Sequence, residues 1–189
     1  MTRFELSFRD NVRKRPGMFF GDTAGQGQAN LLWEVVSNSL DQVLQRQASQ
    51  IWVSVDAGAR LTVRDDGPGL PLQGVDDLVS IVTEPHATPT RDGHSPHVHV
   101  RRHGVGLAAV AAAAGRFHIV SEHGGRRWSV LLEQGRVVHA SELDPLGSAG
   151  TIVTWHADPE LFEGPLPHTT IHWRLFALAA LTPGLTVHL

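Results

Sequence analysis

The sequence predicts an α/β two-layer sandwich: an α+β domain with a mixed, mostly antiparallel sheet and its helices on one face. Three observations predict it. Apolar residues recur at helical spacing over residues 28–47, and short segments of alternating polarity follow. Helical and alternating segments then interleave, yet several alternating ones are joined by tight turns, which favours antiparallel pairing over a purely parallel sheet. Finally, 189 residues with 41% hydrophobic and 19% charged content suit one well-buried soluble domain, taken here as residues 1–189.

In chain order, residues 4–14 read as a short helix that ends at Arg15-Pro16-Gly17. A long helix over 28–47 places Leu32, Val35, Val36, Leu40, Val43 and Leu44 on its apolar face. Residues 51–55 and 60–64 alternate around Asp56-Ala57-Gly58-Ala59, the pattern of a hairpin. A turn, Asp65-Asp66-Gly67-Pro68-Gly69, closes the second strand. Residues 83–102, with Pro85, Pro89, Gly93 and Pro96 among histidines and arginines, read as a mobile lid-like loop. A helix of small residues is expected over 104–114, strands near 117–122, 128–133, 137–141 and 151–155, a helix over 170–181 and a last strand over 185–189.

Composition narrows the function classes. A net charge of −3 gives no general attraction to nucleic-acid phosphates, and Arg13-Lys14-Arg15 reads as a structural turn. The absence of cysteine excludes disulfides and thiolate metal sites. Met1-Thr2-Arg3-Phe4-Glu5 lacks the apolar core of a signal peptide, and the longest apolar stretch, 105–114, is too short to span a bilayer. A cytoplasmic location without membrane contact is the expectation.

Four separated segments carry chemistry. Glu34, Asn38 and Asp41 stand at i, i+4 and i+7 of the long helix, on a stripe opposite its apolar face. That stripe reads either as a solvated surface or as a site. No Lys or Arg occurs between Ala29 and Gln45, and the stripe offers an amide oxygen for magnesium on Asn38 and a carboxylate base on Glu34. Asp65, at a strand end, can accept a hydrogen bond from an adenine amino group, with Gly69 leaving room for the base; an ordinary Asp-Gly turn is the alternative. His103-Gly104-Val105-Gly106 opens a helix, where backbone N–H groups can face phosphate, although glycine there also serves close packing. Thr151, after Gly150, can present a hydroxyl to the base edge.

Taken with Val12-Arg13-Lys14-Arg15-Pro16-Gly17-Met18-Phe19-Phe20-Gly21-Asp22-Thr23, these segments resemble the ATPase domain of the GHKL superfamily, in its gyrase B and topoisomerase IV B branch. The resemblance runs from about residue 10 to the end and implies the Bergerat ATP-binding fold. It implies Glu34 as general base, Asn38 as magnesium ligand with Asp41 in support, and Asp65 on the adenine amino group with Thr151 assisting through a water. It places Val35, Val63, Leu70, Pro71 and Val153 around the base, and Gly69 with the backbone of His103, Gly104, Val105 and Gly106 against base and phosphates. ATP and Mg2+ are the implied ligands.

Departures accompany the resemblance. Where the family usually pairs a Glu with an Arg beside the adenine, this chain has Gln42 and Pro68, so both partners are replaced together and neither charge is orphaned. Ahead of His103 stand Val100-Arg101-Arg102 in place of glycines, which either restrict the phosphate loop or add positive charge to it. The topoisomerase relatives continue into a transducer that supplies a lysine to the γ-phosphate. Unaided strand passage is therefore not expected of these residues, DNA is expected only indirectly, and a protein partner is expected to supply the transducer function. The function implied is slow Mg-dependent ATP hydrolysis. The alternatives are a non-catalytic nucleotide sensor and a degenerate domain whose Arg101-Arg102 block the phosphates.

Five of the twelve histidines, His86, His94, His97, His99 and His103, fall in the loop. His97, His99 and His103 form a possible metal trio, set against the plainer reading of a solvated lid. Protonation near about pH 6 makes such a lid more cationic and its phosphate affinity pH-sensitive.

Overall fold

In the computed structural model the described residues are 6–56, 58–85 and 106–189. The elements are α1 (Phe8–Lys14), α2 (Pro16–Phe20), α3 (Gly25–Leu44), β1 (Gln50–Val55), β2 (Leu61–Asp65), α4 (Val75–Thr83), α5 (Gly106–Ala113), β3 (Ala114–His123), β4 (Arg126–Glu133), β5 (Arg136–Leu143), β6 (Gly150–Ala157), α6 (His168–Leu181) and β7 (Thr186–His188).

Local chemistry sets the boundaries. Arg15-Pro16 ends α1 as expected, but Pro16 also starts a helix that the sequence pattern does not predict. Proline at the first helical position gives up an N–H that has no intrahelical acceptor anyway. The long helix begins earlier than residue 28, because Asp22 Oδ1 accepts from the N–H of Ala24 (2.9 Å) and of Gly27 (2.7 Å) at the open end of α3. α4 is a second unforeseen helix: its first turn carries Asp76 and Asp77, which complement the helix dipole, and it buries Leu78 and Val82.

The seven strands run in the order β5-β4-β3-β6-β2-β1-β7. Every pairing is antiparallel except β1 with β7, so the sheet is mixed and mostly antiparallel as predicted. Gly124 and Gly125, at φ 58° and 75°, form the β3–β4 turn, where both central residues need the left-handed region.

The helices cover one face. Leu31, Leu32, Val35 and Val36 of α3 and Ala109 to Ala113 of α5 pack over an inner row that includes Ile51, Val53, Val63, Phe117, Ile119, Trp128, Val153 and Trp155. The alanine run lets α5 lie close against α1, α3 and α4. The other sheet face is polar and partly exposed, with Thr62 and Thr154 hydroxyls 3.2 Å apart and His118 Nε2 2.8 Å from Ser129 Oγ.

Arg13 has a structural task, consistent with the reading of its basic cluster. Its guanidinium donates to Asp158 Oδ2 at 2.7 Å and to the Ala112 carbonyl at 3.3 Å, fastening α1 to the end of β6. Among the described residues no helix is long and apolar enough to cross a membrane.

Candidate functional site

The register of three strands builds one end of the site. Val63 faces Val153 across β2 and β6, and Ser121 faces Thr151 across β3 and β6. Asp65, Thr151 and Ser121 therefore form a row on the inner face of the sheet, at the β2 C-terminus. Asp65 is 5% exposed. Its Oδ2 accepts from Ser39 Oγ of α3 (2.8 Å), and its Oδ1 from the N–H of Gly67 (3.1 Å) and of Thr151 (3.3 Å). Burial pushes its carboxyl above the ordinary range, against the opposing pull of these hydrogen bonds. A hydroxyl chain lies beside it: the Leu70 N–H donates to Ser121 Oγ at 2.8 Å, which sits 3.3 Å from Thr151 Oγ1.

The turn after β2 is pressed into this row. Gly69 has φ +73°, and a Cβ there would fall 2.0 Å from the Glu122 carbonyl oxygen, so only glycine fits. Gln42 and Pro68, which stand where the family's ion pair is expected, are both engaged differently. The Gln42 side chain packs beside Gly67, and His123 Nδ1 donates to the Pro68 carbonyl at 2.7 Å.

The other end lies further back along α3. Gly106, the first residue of α5, sits against Glu34: a Cβ at Gly106 would fall 2.9 Å from Glu34 Oε2. Asn38 is exposed and donates through Nδ2 to the Glu34 carbonyl at 2.9 Å, which turns its Oδ1 outward. Along the expected stripe of α3 exposure differs: Asn38 is exposed, Glu34 intermediate and Asp41 9% exposed.

The remaining predicted wall is divided. Val35, Val63 and Val153 are buried core residues, Leu70 is half-buried and Pro71 exposed. His103, Gly104 and Val105 lie outside the described residues, as do Arg101, Arg102, all but the first residues of the expected lid, and the proposed histidine trio. Among the described residues no group of three or more His, Asp or Glu is placed to hold a metal.

Sequence reasoning missed Ser39, Ser121, His123 and Glu122. Glu122 is 5% exposed and its carboxylate accepts from the N–H of Leu146 (2.9 Å) and Gly147 (2.8 Å), holding the loop that leads to Thr151. A serine inside a strand carries no signal until its register with Thr151 is known.

Residues 27–161 match the model of the family described as histidine kinase-, DNA gyrase B- and HSP90-like ATPase. The chain is 33% identical over 183 residues to the DNA gyrase B protein of Mycolicibacterium smegmatis, covering 94% of this chain and 27% of that protein. It is 34% identical over 161 residues to the DNA topoisomerase 4 B protein of Mycoplasma genitalium, covering 82% of this chain and 25% of that one. It thus spans about a quarter of the length of these relatives. Among solved structures, the 43K ATPase domain of Thermus thermophilus gyrase B, in complex with an aminocoumarin, superposes with a TM-score of 0.81 at 27% identity, over 96% of this chain and 48% of that one.

Proposed function

The chain belongs to the histidine kinase-, DNA gyrase B- and HSP90-like ATPase family, and from that premise we propose that it binds ATP with magnesium along α3 and hydrolyses it slowly. One observation carries this reading: a single helix supports both ends of the site. Ser39 holds Asp65 at one end, and Glu34 meets the head of α5 at the other. Ser39 follows Glu34 by five positions, about 7.5 Å of helix axis, so purine and phosphate groups are offered fixed partners on one rigid element.

Asp65 accepts from the adenine amino group, Thr151 serves the neighbouring ring nitrogen, and Val35, Val63 and Val153 floor the pocket, with Leu70 and Pro71 at its rim. Gly69 lets the base lie close to the turn. At the head of α5 the lack of a side chain on Gly106 leaves its backbone open to phosphate oxygens, continuing the reading of His103, Gly104 and Val105. Glu34 takes a proton from a water as its oxygen bonds to the γ-phosphorus and the bond to the β-phosphate oxygen breaks. The donor set suits a hard cation: the outward Oδ1 of Asn38 offers a neutral oxygen beside the phosphates, with Asp41 behind it. When bound, magnesium neutralises phosphate charge.

Between Ala29 and Gln45 the chain has no Lys or Arg, so the cation that phosphoryl transfer uses is brought by Arg101, Arg102 or a partner protein with a transducer-like lysine. Residues 1–189 act as one nucleotide domain in this reading, and any effect on DNA passes through that partner. Calorimetric titration of the protein with ATP tests the proposal. One-to-one binding that weakens when magnesium is chelated is expected; no binding with magnesium present overturns it.

A further inference from the structure

We propose that Ser121 is a positioning residue that fixes the hydroxyl proton of Thr151 toward the purine, and so helps the site select adenine. The inference rests on the nucleotide reading above. It begins with a buried donor. Ser121 is 0% exposed, on an inner strand position that continues the apolar series Phe117 and Ile119. A buried hydroxyl must place its proton on an acceptor, because leaving it unpaired loses the water bonds it had when unfolded. The Leu70 N–H already points at Ser121 Oγ, at 2.8 Å. Among the described residues, Thr151 Oγ1, at 3.3 Å, is the acceptor within reach of the Ser121 proton. Thr151 is less buried, so its own proton is the one that can be directed out of the protein. The polarity of the chain follows: Leu70 N–H to Ser121 Oγ–H to Thr151 Oγ1–H, and on toward the ligand, directly or through the water that the family resemblance implies.

The neighbouring group has the opposite polarity. Both oxygens of Asp65 are held by donors from Ser39, Gly67 and Thr151, which keeps the carboxylate in place as an acceptor. The row thus presents an acceptor next to a donor. Adenine's edge offers an amino donor beside the N1 acceptor and matches it. Guanine's edge offers the O6 acceptor beside the N1–H donor and opposes it at both points. Ser121 biases the second half of that match toward donation: its proton takes one Thr151 lone pair, so Thr151 cannot donate back to Ser121 and its own proton is left for the ligand side.

The test compares ATP with 1-deaza-ATP, which lacks the N1 acceptor, by calorimetry on wild type, S121A, S121T, T151V and the double variant S121A/T151V. In wild type the analogue is expected to bind about five- to tenfold more weakly than ATP. S121A should shrink that ratio to about twofold and raise relative affinity for GTP, S121T should keep the ratio, and T151V should remove it so that adding S121A changes nothing more. A merely structural serine would weaken ATP and its analogue alike. If S121A leaves the ratio unchanged while ATP still binds, the inference is wrong and the nucleotide reading stands. If wild type binds no ATP, both are wrong.

Discussion

The two ends of α3 are built on opposite plans. At the Asp65 end the carboxylate is held from within the protein: buried, it takes three donors, and the adjoining Ser121 hydroxyl is tied to the backbone of Leu70. At the Glu34 end the groups are more exposed, and Asn38 turns its oxygen outward. The first end is organised by folding itself, at the cost of burying a carboxylate; the second is more accessible, and in the proposed reading it is where the phosphates lie. Recognition and chemistry are therefore expected to separate on mutation. Changes near Asp65 should alter binding and stability together, and changes at Glu34 should alter turnover with little effect on either.

The largest expected effect is at the open end. Replacing Glu34 with Gln keeps the shape and removes the base, so steady-state hydrolysis should fall by about 10²–10⁴-fold. ATP affinity and the thermal midpoint should stay near wild type. A comparable fall in affinity would mean that Glu34 belongs to binding, and the contrast between the ends would fail.

D65N should do the reverse. It turns an acceptor into a partial donor facing Ser39, Gly67 and Thr151, and it withdraws the acceptor for the adenine amino group. ATP affinity is expected to drop about 10–100-fold, the worth of a hydrogen bond to a charged group. Titration of the variant checks this, and unchanged affinity would place the purine elsewhere.

G69A comes next. The residue sits at φ +73° with its Cβ position 2.0 Å from the Glu122 oxygen, so the turn must shift to admit a methyl group. The backbone conformation alone costs about 1–3 kcal/mol. Denaturant unfolding should show at least that loss, with a weaker purine site alongside. The equivalent change at Gly124, where a Cβ meets nothing within 4 Å, separates contact from backbone strain.

These contrasts also explain which features are legible in the sequence. Strong periodicity makes α3 legible, and alternation with glycine turns makes the β3–β4 hairpin legible, because each pattern has one physical meaning. Asp65 and Thr151 are legible as residue types set near glycines, and Glu34 as a carboxylate on a helix stripe without Lys or Arg. α2 is not, because Pro16 signals an end and a beginning with the same residue. α4 is not, because its nine residues form a short, β-branched apolar run between two glycine- and proline-rich stretches, and such a run reads as readily as a strand. Ser39 and Ser121 become meaningful only through contacts 26 and 51 residues away, to Asp65 and Leu70. The burial of Asp41 likewise depends on what packs over that part of α3, which sequence spacing leaves open.

The smallest effect is the pH dependence of the closed end, and its sign is definite. Burial raises the Asp65 carboxyl above its unfolded value, so the folded state holds this proton more tightly than the unfolded chain. The stability that Asp65 contributes is therefore greatest below the unfolded pKa, and it is lost as pH rises through that value toward the raised folded one. In the proposed reading ATP is held by the ionised acceptor, so its affinity should move the other way and increase as pH rises through the folded pKa. D65N tests both. Denaturant unfolding across pH should show the acid-side slope in wild type and its loss in D65N. A slope that survives the substitution would assign it to other carboxylates and leave Asp65 as an ordinary ionised turn residue.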